Sequence, residues 1–174
     1  DNAVKESRER VISAIKNSGF KFPGKKITVN LAPADIKKEG SSFDLPIAAG
    51  ILAALDYIPE QSLNECVLLG ELSLDGNLRT IKGVLPIAVE ARKQGFKKLI
   101  LPAESLFEAS VVEDIELIGL DNLMQVKDYL SGDLKYSPEA FRKKLEISEV
   151  TSYLHDFRDV KGQQNVKRAL EVAA

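Results

Sequence analysis

Tryptophan is absent from this 174-residue sequence and aromatic side chains make up only 6% of it, so a core here must be mostly aliphatic. The single cysteine, Cys66, excludes an internal disulfide and a cysteine-rich metal site. The single histidine, His155, excludes a cluster of imidazole ligands. Neither sign of charge dominates. There are 24 Lys and Arg against 26 Asp and Glu, a net of −2, which leaves no global footprint for nucleic acid. Apolar runs stay short of the ~18 residues a membrane-spanning helix needs. The opening residues show no charged-then-apolar leader, so a reducing cytoplasm is the compartment expected.

What is present is 44% hydrophobic and 29% charged residues, the balance of a soluble globular chain, at a length suited to one domain with a short appendage. The longest nearly uncharged run is residues 40–55, Gly-Ser-Ser-Phe-Asp-Leu-Pro-Ile-Ala-Ala-Gly-Ile-Leu-Ala-Ala-Leu, with Asp44 as its lone charge. Leu45, Ile47, Ala48, Ile51, Leu52 and Leu55 recur at helical spacing, and Ala49, Gly50, Ala53 and Ala54 fill the rest. The run therefore reads as a helix buried nearly all round. Pro46 belongs in its first turn, where a missing N–H costs nothing. That puts the N-cap at Asp44 or just before it, with the carboxylate expected to cap the helix. The turn ahead of it can carry a functional group, and Ser42 stands there as either a nucleophile or a turn hydroxyl.

Around this run the chain alternates. Residues 2–17 form an amphipathic helix with Val4, Val11, Ile12 and Ile15 on one face, closed by Ser18-Gly19. A helix so placed usually covers a sheet, so the sequence reads as beginning inside a longer protein. Residues 27–31, Ile-Thr-Val-Asn-Leu, alternate as a strand does. Residues 32–40 read as a charged surface loop, and another loop starts at Pro59. Residues 66–72 read as a buried strand, placing Cys66 in the core. Asp75-Gly76, flanked by Leu72, Leu74 and Leu78, is a strong hairpin signal. Helix 83–94, strand 98–102, helix 104–112, strand 115–120 and helix 122–130 follow. Parallel pairing is expected from that order and an antiparallel part from the hairpin, giving an α/β (α+β) fold with a mixed sheet. Residues 133–156 change character and read as a linker with a short helix at Ser137-Pro138. A further helix begins near Val166. The basic clusters Lys21, Lys25 and Lys26, and Arg92, Lys93, Lys97 and Lys98, lack interleaved aromatics and read as solvated faces.

Three stretches together carry a resemblance. They are residues 26–35 (Lys-Ile-Thr-Val-Asn-Leu-Ala-Pro-Ala-Asp), 38–48 (Lys-Glu-Gly-Ser-Ser-Phe-Asp-Leu-Pro-Ile-Ala) and 70–76 (Gly-Glu-Leu-Ser-Leu-Asp-Gly). They resemble the N-terminal domain of the magnesium-chelatase-related, competence-associated AAA+ ATPases, and residues 156–163 resemble the segment that leads into that family's Walker A loop. The resemblance implies a Lon-protease-like domain of the ribosomal protein S5 domain 2 type over residues 1–132, with its first strands before Asp1. It further implies a linker over 133–157 and the start of an AAA+ domain over 158–174. In the full-length protein it implies ATP and Mg as cofactors, an adenine-side hinge at Val160, Gly162 and Gln163, and a hexameric motor acting on DNA in branch migration. The domain's partners would be its own AAA+ domain, other copies and DNA, with no membrane. No G-x-x-x-x-G-K-[ST] occurs in the sequence, so it is not expected to hydrolyse ATP by itself.

The same resemblance raises the alternative of a Lon-type Ser/Lys peptidase, whose nucleophile motif is Gly-Pro-Ser-Ala-Gly. Against it, Gly40 and Ser42 match, while Ser41, Phe43 and Asp44 differ. The position of the lysine falls on Leu85, which cannot take a proton, and Lys82 stands three residues earlier, before the helix. A serine hydroxyl without an adjacent base is a weak nucleophile, and a carboxylate beside it disfavours an oxyanion. The expectation is therefore a scaffold with no catalytic residues, used for assembly or substrate contact. Literal insertion of magnesium into a porphyrin finds no metal site in the sequence and ranks last.

Overall fold

The computed structural model describes residues 2–24, 26–31, 41–137, 162, 163 and 166–168. The chain divides into two compact units, Asp1–Pro138 and Glu139–Ala174. In the first, helix α1 (Asn2–Asn17) buries the stripe Ser7, Val11, Ala14 and Ile15 and turns Arg8 and Glu9 to solvent. It stops where Gly19, at φ 85°, donates its N–H to the Lys16 carbonyl at 3.0 Å. Helix α2 (Asp44–Ala54) has no polar side; Leu45, Ala48, Ala49, Ile51 and Leu52 are buried.

Strands β1 (Cys66–Leu68), β4 (Lys98–Pro102) and β5 (Glu116–Leu120) form a parallel sheet in the order β1-β4-β5. Strands β2 (Glu71–Leu72) and β3 (Leu78–Arg79) form an antiparallel ladder around Asp75-Gly76, with Gly76 at φ 88°. Parallel and antiparallel pairing are thus both present, in two separate ladders. A side chain at Gly76 would run into the Ser18 hydroxyl, so the hairpin tip lies against the end of α1. From Leu99 to Pro102 every residue of β4 is buried, as a parallel strand covered on both faces must be. Ile100 and Ile118 join Val11, Ile15, Leu45, Leu52, Leu123 and Val126 in the main core. Helices α3 (Val84–Lys93) and α4 (Leu106–Ala109) pack together, burying Val84, Ala88, Ala91, Leu106 and Ala109. Helix α5 (Leu123–Ser131) is capped by Asn122, whose side chain accepts from the Gln125 N–H at 2.9 Å, and ends at left-handed Gly132.

Several expectations need correction. Residues 27–31 make no strand, because a strand exists only through a ladder and nothing among the described residues pairs with them. The run 66–72 divides into β1 and β2 because Gly70 turns toward α2. The chain still holds the sheet at Leu69, whose N–H donates to the Ile100 carbonyl at 2.9 Å. The helix expected over 104–112 is a 3-10 turn (Ala103–Ser105) and then α4 alone. Its end is marked by the Ser110 hydroxyl donating back to the Phe107 carbonyl at 2.7 Å. Another 3-10 turn, Glu60–Leu63, occupies the loop expected after Pro59. Residues 32–40, the helix expected from Pro138 onward, His155 and Val160 lie outside the described residues.

Candidate functional site

The turn in front of α2 is the candidate site, and it is built by three elements distant in sequence. The loop between β1 and β2 clamps it through the backbone. Gly70 donates its N–H to the Ser42 carbonyl at 3.2 Å, and the Gly70 carbonyl accepts from Leu45 at 3.0 Å. The Ser41 hydroxyl donates to the Glu71 carboxylate. Within the turn, the Ser41 carbonyl accepts from Asp44 N–H at 3.1 Å and the Phe43 carbonyl from Ile47 N–H at 3.1 Å. Pro46, in the first helical turn, forfeits a hydrogen bond that would be unmade anyway.

Asp44 departs from its expected role. The N-cap position is Phe43, and the Asp44 side chain caps nothing. It is the first helical residue, fully buried, and its carboxylate accepts four hydrogen bonds. These come from Ser7 Oγ at 2.6 Å, Arg10 Nε at 2.7 Å, Arg10 Nη2 at 3.2 Å and the Leu72 N–H at 3.3 Å. The Arg10 guanidinium presents a fork to the two oxygens. The hydrogen bond from Arg10 to Asp44 also raises the guanidinium's pKa. A buried carboxylate is tolerable only when its lone pairs are used, and here α1, α2 and β2 supply the partners. Near the N-terminus of α2 the negative charge also meets the positive end of the helix dipole.

Ser42 is half-buried. Leu85, the position of the peptidase lysine, lies in α3, half-buried, with its N–H donating to Glu108 Oε1 at 3.2 Å. Lys82 is exposed on the loop that enters α3. Of the hinge residues, Gly162 and Gln163 are both left-handed, at φ 76° and 56°, and the Gln163 carbonyl accepts from Lys167 N–H at 3.0 Å, starting the helical residues 166–168. That is a turn opening a helix. The sequence holds no G-x-x-x-x-G-K-[ST] phosphate-binding loop beside this turn.

Two parts of this site were not legible beforehand. Ser7 and Arg10 stand 37 and 34 residues from Asp44, and Arg10 reads as one more charge on the outer face of a helix. The available signal was Ser7 itself, a polar residue in register with the apolar stripe Val11, Ala14 and Ile15. The second part is a groove of about 550 Å³ along the outer side of α2, between Pro46, Ile47, Gly50 and Ala54 on one wall and residues 27–31 on the other. Cys66 sits half-buried in β1, packed against the core, and burial pushes its thiol pKa up.

The sequence matches the family described as "Subunit ChlI of Mg-chelatase" over residues 1–105. Competence protein ComM of Haemophilus influenzae is 42% identical over 176 residues, spanning 100% of this chain and 34% of ComM. The uncharacterized protein YifB of Escherichia coli is 41% identical over 174 residues, spanning 100% of this chain and 33% of YifB. Lon protease 2 of Bacillus subtilis is 33% identical over 126 residues, 72% of this chain and 22% of that protein. The chain thus spans about a third of the length of the full-chain relatives it matches.

Proposed function

Since this chain belongs to the Mg-chelatase ChlI-subunit family, we propose that it is a non-catalytic module of a larger, ATP-driven, DNA-acting protein, serving in assembly or substrate contact. ComM's name supplies the link to competence. The full-length protein would bind ATP and Mg through residues beyond this sequence, with Val160, Gly162 and Gln163 at the adenine side. It would work as a hexamer, in branch migration of DNA, in the cytoplasm. Residues 1–132 would be the Lon-like module, 133–157 the linker and 158–174 the entry to the ATPase.

The observation that carries the non-catalytic reading is Asp44. Where a Lon-type nucleophile motif has its second glycine, this chain has a carboxylate with both oxygens committed to Ser7, Arg10 and Leu72. A group holding three elements together in that way serves the fold. Leu85, where the resemblance puts the lysine, cannot serve as the base such chemistry uses. The competing reading, a Ser/Lys peptidase, draws on the Lon likeness alone. The test is full-length protein with and without residues 1–132, compared in ATP-driven branch migration, gel shift and size exclusion. Assembly or DNA binding should suffer on deletion while ATP binding persists; unchanged behaviour in all three assays would overturn the proposal.

A further inference from the structure

The first unit exposes two apolar surfaces of opposite shape. One is a knob. Phe107 on α4 and Val111 just beyond it are 68% and 70% exposed, and they are the most exposed large hydrophobic side chains among the described residues. The exposed acids Glu104, Glu108, Glu113 and Asp114 stand on the same stretch, and Arg92 lies 3.7 Å from Asp114. The other surface is the groove beside α2. Ile27, Val29 and Phe43 are 38%, 48% and 37% exposed along it. Its helical wall carries exposed Gly50 and Ala54, and a Cβ at Gly50 would meet nothing within 4 Å, so there is room beside that wall. Exposed Lys21 and Lys26 lie on the segment forming the opposite wall.

An apolar knob on an acidic stretch and an apolar groove beside a basic one, on the same molecule, are complementary in form and in sign. We infer that the knob of one copy seats in the groove of the next, with Phe107 and Val111 against Val29, Phe43, Pro46 and Ile47. Glu104 and Glu108 then face Lys21 and Lys26. The apolar anchors hold the contact, and the charges steer it and fix its direction. Because the two halves differ, each docked copy still offers a free knob or a free groove. The contact therefore propagates from copy to copy, closing into a ring if the rotation allows. The inference rests on the reading of the full-length protein as a homo-oligomer and names the surfaces that join its copies.

The test is sedimentation of the 174-residue chain over a concentration series, without nucleotide or DNA, so that its outcome is independent of the motor assays. Phe107→Asp removes the knob and Val29→Asp blocks the groove. Each variant alone should lose at least ~10-fold in self-association. Mixed, the intact groove of the first and the intact knob of the second should give a 1:1 heterodimer that grows no further. As surface changes that spare the Glu108 bond to α3, Glu104→Lys and Lys26→Glu should each weaken association by a few-fold, and the two reversed together should restore it. A wild-type chain that stays monomeric to ~1 mM would overturn the inference. So would two folded variants that fail to complement, or charge reversals without effect. If complementation holds while the motor assays fail, the contact stands and the DNA-acting reading falls.

Discussion

The two sides of α2 are equally apolar and differently used. The inner side is closed: Leu45, Ala48 and Leu52 are fully buried, and Asp44 at its head is tied to α1 and β2 by four hydrogen bonds. The outer side is open. Ile47 and Pro46 are half-covered, Gly50 and Ala54 are exposed, and the facing residues 27–31 lack a ladder among the described residues. Hydrophobicity alone says that a surface favours burial; it does not say what buries it. Polar fastening does, because a buried carboxylate has few tolerable partners and each must be in place.

That contrast can be broken most severely at Asp44. Asp44→Ala leaves the Arg10 guanidinium and the Ser7 hydroxyl without their acceptor, and is expected to cost about 3–5 kcal/mol in chemical denaturation. Adding Arg10→Met to it should recover part of the loss, since the orphaned charge goes with it; no recovery would mean that Asp44 acts through packing. Next comes the inner apolar face, where Leu52→Ala should cost about 2–4 kcal/mol by cavity formation. A loss below ~1 kcal/mol would show that the inner face is not the closed one.

A smaller effect appears at high pH. Burial pushes the Tyr129 hydroxyl up to about 12, above its ordinary value near 10. The unfolded chain therefore releases this proton first. Stability is intact below pH ~10 and falls as pH climbs toward ~12, by about 1 kcal/mol once solvent screening of a half-buried ring is allowed for. Tyr129→Phe should flatten that part of the alkaline profile. The smallest effect belongs to the open side. Val29→Thr in dilute, unassociated protein should change stability by no more than ~0.5 kcal/mol. A loss like that at Leu52 would place residues 27–31 in the core.

The same division separates what could be read in the sequence from what could not. Helix α5 was legible because its signals are local: Asn122 caps, Gly132 closes, and Leu123, Val126 and Leu130 share a face. The hairpin at Asp75-Gly76 and strands β4 and β5 were legible for the same reason, through turn chemistry and short apolar runs, that of β4 stopped by Pro102. Residues 27–31 have the alternation of a strand, but a strand is completed by a neighbour, and alternation carries no information about one. The position of Asp44 at a helix start was legible to within a residue. Its bonding was not, because Ser7 and Arg10 reach it across a separation that no local pattern encodes. At the candidate site, Ser42 and Leu85 were picked out by likeness to a motif; Gly70 and Glu71 belong to a motif too, but nothing in it says that they hold the turn before α2.

The central claim is that the turn before α2 is a structural junction and not a nucleophile. The most direct test is turnover of an unfolded protein substrate such as casein, by wild-type protein and by Ser42→Ala, with denaturation of both followed in parallel. The account predicts no turnover by either and nearly equal stability, since the bond Ser42 gives to the clamp is through its backbone carbonyl. Turnover by the wild type that vanishes in Ser42→Ala, with stability unchanged, would contradict it.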